Sequence, residues 1–256
     1  MKRILTAVAL VPPVVYVVLA GPAWLLLAVV ALVAALSYYE YDALAARYGF
    51  GGFGPLGYGA GLLLLLLPQG EGLLAAVLCV LLALALAMRA ADLAHALPRA
   101  ALFALGLVYI FGSWSFAIPL HAYSPHWLMC VLLVNWAGDT GAYYVGRPFG
   151  RHRLAPRVSP KKSWEGAAAS VVVAVAAGTA YLWYFLPAVP VLYMVLVSAA
   201  ANIAGQVGDL AESAIKRGAS VKDSGGILPG HGGFLDRVDG TLFALPAVYL
   251  LLRILG

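Results

Sequence analysis

Charge is scarce in this sequence of 256 residues: only 11% are Asp, Glu, Lys or Arg, against roughly 25% in an ordinary soluble domain. Cysteine is scarcer still. Cys79 and Cys130 are the two present, and each sits in an apolar run, which excludes a disulfide framework and a cysteine-based zinc site. No two histidines stand at zinc-ligand spacing; His95, His121 and His126 fall in interfacial connections, where they serve as hydrogen-bonding groups. The P-loop pattern G-x-x-x-x-G-K-[S/T] is missing. Gly49-Phe50-Gly51-Gly52-Phe53-Gly54 does fit G-x-G-x-x-G, but no strand precedes it and no βαβ unit surrounds it, so it reads as a loop. What is abundant is hydrocarbon: 63% of residues are hydrophobic. That excludes a disordered chain and argues against a soluble globular enzyme.

A helix needs about 20 apolar residues to cross a hydrocarbon core of roughly 30 Å. Candidate spans run at 4–20, 22–38, 55–68, 72–88, 101–120, 126–142, 166–186, 188–206 and 241–255. The fold class expected is therefore all-α, a polytopic integral membrane protein with about nine transmembrane helices. The third span ends at Pro68 and reaches only about 21 Å at 1.5 Å per residue; it either crosses or forms a shallow hairpin with the fourth. Lys2 and Arg3 precede the first apolar run as in a leader peptide. A second run follows directly after Gly21-Pro22, so a membrane hairpin is expected instead. Pro12 and Pro13 should kink the first helix.

With these spans, every lysine and arginine except Arg253 falls at the N-terminus or in the connections after the second, fourth, sixth and eighth spans. The opposite connections are short, and Glu71 is their one acid. Positive charge marks the cytoplasmic side, so the N-terminus and the basic loops are expected there, on the inner face of the plasma membrane. The chain divides into residues 1–125, helices for packing, lipid access and dimer contacts, and residues 126–256, catalytic helices with cytoplasmic loops at 143–165 and 209–240.

Most of the charge lies in two windows, 139–165 and 209–239. The first opens with Asn135-Trp136-Ala137-Gly138-Asp139 at a span's end, where an acid is either a snorkelling cap or a functional group. Arg151, Arg153 and Arg157 suit a solvated loop that attracts anionic lipid. Ser159-Pro160-Lys161-Lys162-Ser163-Trp164-Glu165-Gly166 follows. Two lysines flanked by hydroxyls, running into a helix N-terminus, suit phosphate oxygens. In the second window Asp209, Glu212, Ser213 and Lys216 stand at i, i+3, i+4 and i+7, one helical stripe. Such a stripe is either a salt-bridged face or part of a site. A glycine-rich stretch, Lys222 to Gly233, cannot be a spanning helix and lets backbone N–H groups turn toward an anion. Asp236 and Asp239 then share a helix face, and paired carboxylates beside a phosphate cradle favour Mg²⁺.

Ser213-Ala214-Ile215-Lys216-Arg217, Lys222-Asp223, Leu228-Pro229-Gly230-His231-Gly232-Gly233 and Asp236-Arg237-Val238-Asp239 together resemble the signature of the phosphatidate cytidylyltransferase family, also called CDP-diacylglycerol synthases. The Ser-Pro-Lys-Lys-Ser-Trp-Glu-Gly and Gln-x-Gly-Asp-Leu-x-Glu-Ser runs, Asp139 and Tyr143 resemble family features as well. The first 130 residues match only in hydropathy. The resemblance implies an enzyme that converts CTP and phosphatidate to CDP-diacylglycerol and pyrophosphate for phospholipid biosynthesis, with Mg²⁺ and a second, monovalent cation such as K⁺. It implies a homodimer in the lipid bilayer and no nucleic-acid partner. By motif position Asp209, Asp236 and Asp239 hold the metal, with Lys216 and Lys222 also catalytic. Substrate contacts fall to Asp139, Ser159, Lys161, Lys162, Ser163, Glu165, Ser213, Arg217, His231, Gly232, Gly233 and Arg237. Two rival readings stand beside it. A CTP-using lipid kinase would release CDP. A transporter would use its charges to line a path, but here they gather at one end of the spans. The spaced pattern of CDP-alcohol phosphotransferases is absent.

Overall fold

The computed structural model describes residues 2–67, 71–89, 92–227 and 232–255, with side chains from residue 11 onward. It is a helical bundle. Helices α1 (Lys2–Leu19) and α2 (Ala23–Arg47) open it, with Pro12 and Pro13 inside the first. Two shorter apolar helices follow, α3 (Gly54–Leu66) and α4 (Gly72–Ala87). A broken helical stretch then runs through α5 (Ala96–Gly106), a π-helical turn at Leu107–Gly112, α6 (Ser113–Ser115) and α7 (Ala117–Tyr123). The second half is built from long helices: α8 (Pro125–Phe149), α9 (Trp164–Phe185), α10 (Val191–Gly218) and α11 (Leu235–Leu255).

Among the described residues, five helical stretches are long and apolar enough to cross a membrane: Ala23–Arg47, Leu93–Tyr123, Trp164–Phe185, Val191–Gly218 and Leu235–Leu255. The apolar helices lie where the hydropathy places them. Their ends differ. α2 continues nine residues beyond the expected stop at 38, because Tyr-Glu-Tyr-Asp-Ala-Leu-Ala-Ala-Arg contains no helix breaker and ends on strong helix formers. α10 carries on through the charged stripe to Gly218. Among the described residues the one non-helical element is a small hairpin, β1 (Arg153–Ala155) antiparallel to β2 (Ser159–Ser163), with Arg153 opposite Ser163 and Ala155 opposite Ser159. Where the residues suggest only a solvated loop, a local bulge lets the strands pair around Pro160.

Small residues set how closely the second-half helices approach. Gly138 and Gly141 of α8 lie against Asn202, Ser170 and Val173, and Gly178 of α9 lies against Ser198 and Val134. Gly205 and Gly208 of α10 lie against Asn135, the Gly240 carbonyl, the Asp239 carbonyl and Phe243. Polar side chains join α9 to α10 where the glycines let them meet: Asn202 Nδ2 donates to Ser170 Oγ at 3.0 Å, and Gln206 Nε2 donates to Asn202 Oδ1 at 2.7 Å. In the first half an aromatic cluster of Tyr38, Tyr41, Tyr58 and Phe111 packs α2 against α3 and the π-helical turn. Both cysteines are buried and free. His121 and His126 act as hydrogen-bonding groups, to the Val18 carbonyl at 3.0 Å and the Tyr181 hydroxyl at 2.8 Å.

Of these positions Gly208 comes closest to the backbone of another helix, and a Cβ there would press on the Asp239 carbonyl of α11. Gly208→Ala is expected to cost about 1–3 kcal/mol by overpacking and to lower the melting temperature in detergent by several degrees. Gly59→Ala, at a position with open space around it, should leave it unchanged. Equal melting temperatures for the two variants would contradict this helix crossing.

Candidate active site at the helix ends

The charged groups of both windows meet where α8, α10 and α11 end or begin, beside the hairpin. α10 closes there with Ser220 in the left-handed region (φ 57°), so that Val221 N–H reaches back to the Lys216 carbonyl at 2.9 Å. Arg217 fastens this end, its Nη1 donating to the Val221 carbonyl at 2.9 Å and its Nε to the Val158 carbonyl of the hairpin at 3.3 Å. From α2, the Tyr48 hydroxyl donates to the Ile215 carbonyl at 2.7 Å.

Lys216 is turned inward. Its ammonium pairs with Glu212, one turn earlier, and with Asp236 at the start of α11. Glu212 is fully buried and Lys216 is 7% exposed. A charge buried this way is tolerated only with partners that replace water. Asp236 also gathers the glycine-rich connection. Its Oδ2 accepts from Ser224 N–H at 3.0 Å and Gly233 N–H at 2.7 Å, with Gly232 in the left-handed region beside it (φ 78°). Those N–H groups turn inward to Asp236 and not outward to an anion.

Glu40 of α2 holds the same connection from the other side. Its Oε2 accepts from Ser224 Oγ at 2.7 Å and from Leu235 N–H at 2.8 Å, and the residue is 1% exposed. Neither Glu40 nor Glu212 is among the sequence-derived candidates. Glu212 is visible as a member of the stripe. Glu40 is an acid in the continuation of an apolar span, a signal in its own right, but the expected end at 38 places it in a loop.

A second cluster, more open, surrounds Asp209. Lys162 of β2 pairs with it at 2.5 Å and Ser213 Oγ donates to it at 3.3 Å. Asp139 of α8 lies in the field of Asp209, Lys162 and Arg237, and Asp239 in that of Asp209, Glu212 and Lys216. Asp239 Oδ1 accepts from the Gly240 N–H at 2.7 Å. So Lys162, Asp209 and Ser213 join by contact at one mouth, and Asp139, Arg237 and Asp239 lie within electrostatic reach of it.

Other candidates take structural places. Ser163 is buried and caps α9, accepting from Gly166 N–H at 3.2 Å. Glu165 orders the start of the hairpin, accepting from Arg151 N–H at 3.1 Å and pairing with His152 Nδ1 at 2.6 Å. Ser159 opens β2, opposite Ala155. Lys161 and Lys222 are exposed. His231 lies outside the described residues.

Among the described residues, no three His, Cys, Asp or Glu side chains close on one point as a metal cage. Mg²⁺ does not require one: it is commonly held by one or two carboxylates and completed by water and substrate phosphates. Asp209 and Asp239 fit that pattern. Asp236, expected as a third ligand, has its carboxylate engaged by Lys216 and two backbone N–H groups.

The chain is 42% identical over 135 residues to a phosphatidate cytidylyltransferase of Bacillus subtilis (strain 168), covering 53% of this chain and 50% of that protein. To the phosphatidate cytidylyltransferase of Staphylococcus haemolyticus (strain JCSC1435) it is 38% identical over 161 residues, 63% of this chain and 59% of the other. For that of Staphylococcus aureus (strain COL) the figures are 36% over 148 residues, 58% and 57%. The chain thus spans between half and three fifths of the length of these curated relatives. A model of the cytidylyltransferase family matches residues 1–255, and over that length the chain belongs to the cytidylyltransferase family.

Proposed function

We propose that the chain transfers a cytidylyl group from CTP to phosphatidate, giving CDP-diacylglycerol and pyrophosphate. The observation that carries this reading is the mouth around Asp209 and Asp239, where carboxylates and lysines meet at the ends of apolar helices. A lipid phosphate held at the bilayer surface and a soluble nucleotide can both reach such a place.

The nucleophile is a phosphate oxygen of phosphatidate. A phosphomonoester has its second pKa near 6, so this oxygen is ionised at neutral pH and needs no general base. It attacks the α-phosphorus of CTP; the new P–O bond forms as the bond to the bridging oxygen of the β-phosphate breaks, and pyrophosphate leaves with that electron pair. The obstacle is bringing anions together and stabilising charge on the leaving group. Mg²⁺, when bound, supplies charge neutralisation on the phosphates. Asp209 and Asp239 would hold it. Lys162, paired with Asp209 at a partly exposed position, is free to exchange that partner for a phosphate. Lys161, Lys222 and Arg237 add exposed positive charge, and Asp139 lies in the field of Arg237. Asp236 and Lys216 set the position of the first turn of α11.

The same reading puts the N-terminus and the site on the cytoplasmic face of the plasma membrane, with about nine apolar helices. It takes residues 126–256 as the catalytic part and residues 1–125 for packing and lipid access. It extends to a homodimer and to a monovalent cation such as K⁺ beside the Mg²⁺.

Purified protein given labelled CTP, phosphatidate and Mg²⁺ should form a liponucleotide and release pyrophosphate. Release of CDP with phosphorylation of a lipid alcohol would replace the proposal with a lipid kinase. Asp209→Asn should lower turnover by about 100-fold or more, as loss of a transition-state charge contact does, and should raise the Mg²⁺ concentration needed for half-maximal rate. Asp236→Asn should lower turnover without moving that Mg²⁺ midpoint. A shifted midpoint in Asp236→Asn, with none in Asp209→Asn, would reverse the two assignments.

A further inference from the structure

We propose that Glu40, a buried side chain of the first half of the chain, is a positioning residue for the site: it fixes the two ends of the glycine-rich connection onto the start of α11. Turnover as a readout rests on the cytidylyl-transfer reading above; the contact itself does not.

Three observations carry this. One oxygen of Glu40, Oε2, accepts two hydrogen bonds from groups that bracket the connection, Ser224 Oγ on one side and Leu235 N–H on the other. Leu235 N–H is among the first-turn donors of α11, which no carbonyl of its own helix can satisfy. Glu40 therefore caps α11 from another helix. Second, Ser224 is held twice, its hydroxyl by Glu40 and its N–H by Asp236. Glu40 and Asp236 thus form two clamps on one residue, and Asp236 in turn grips Lys216. Third, the fit is tight. A Cβ on Gly225 or Gly233 would collide with the Glu40 carboxyl group, so both positions are open only to glycine while Glu40 stands there. The other oxygen, Oε1, is buried with no hydrogen-bond partner among the described residues. A buried carboxyl oxygen in that state calls for a reason beyond packing.

The chain of contacts runs from α2 to Ser224 and Leu235, from Ser224 to Asp236, and from the first turn of α11 to Asp239 one turn later. Loss of Glu40 would free that first turn while leaving the α9–α10 contacts in place. The expected signature is a loss of turnover more than of nucleotide affinity, because the groups that would bind CTP are still present but Asp239 is less well placed.

The test uses the full chain in detergent, with Glu40→Ala, Glu40→Gln and Ser224→Ala. Glu40→Ala should lower kcat by about 10-fold or more, the scale expected for an orphaned buried donor, with KM for CTP within about threefold of wild type. Amide hydrogen exchange should rise in residues 232–240 and stay unchanged in α9. Glu40→Gln should recover most of the loss, because its amide oxygen can accept the same two bonds. Ser224→Ala should show a smaller loss, and combining it with Glu40→Ala should add less than the product of the two. Wild-type kcat in Glu40→Ala, failure of Glu40→Gln to recover, or exchange that rises equally in α9 would each overturn the proposal. If the wild-type protein forms no liponucleotide, the activity reading fails by itself, and the exchange pattern alone decides for or against the clamp.

Discussion

The arrangement depends on one buried ammonium. Lys216 has left water for an apolar bundle, and among the described residues the carboxylates of Glu212 and Asp236 make that tolerable. Glu212 is on the same helix, so it travels with Lys216. Asp236 is not. It belongs to α11, and the pairing therefore fixes how far along α10 the start of α11 lies. A buried pair of this kind adds little to stability compared with an apolar substitute, but removing one partner costs about 3–5 kcal/mol, because the other charge is left uncompensated. Such a constraint specifies register more than it stabilises the fold.

Everything near the site follows from that register. Gly208 allows α10 and α11 to touch at the Asp239 carbonyl, which brings Asp239 into the field of Asp209. The polar links Asn202–Ser170 and Gln206–Asn202 hold α9 to α10, and α9 carries the hairpin at its capped N-terminus through Ser163 and Glu165. Lys162 is thereby brought to Asp209 from a different element. The two lysines differ in kind. Lys216 is buried and committed, a structural cation. Lys162 is partly exposed, in an ion pair worth about 0–1 kcal/mol, weak enough to be exchanged for another partner.

Much of this was legible in the residues themselves. Hydropathy located the apolar helices, and the two charged windows contain almost all of the groups that converge. The stripe of Asp209, Glu212, Ser213 and Lys216 correctly shared one helix face. Periodicity, however, says which residues lie together and not what faces them, so the inward turn of Lys216 toward α11 could not be read. Hydroxyls before a helix suit phosphate, but at Ser163 helix capping uses the same chemistry. Glu40 lies beyond what hydropathy shows because span ends are set by tertiary packing: Tyr41 and Leu44 keep α2 buried past the point where hydropathy alone would stop it. Its partners are nearly two hundred positions away, beyond the reach of any local pattern.

The most direct measurement is on Lys216→Met, which keeps the apolar stem and removes the charge. Turnover and amide exchange should be followed together in the purified chain. The account expects a folded, membrane-inserted helical protein with increased exchange in residues 232–240 and turnover reduced by about 100-fold or more. Wild-type turnover with wild-type protection of α11 would contradict it.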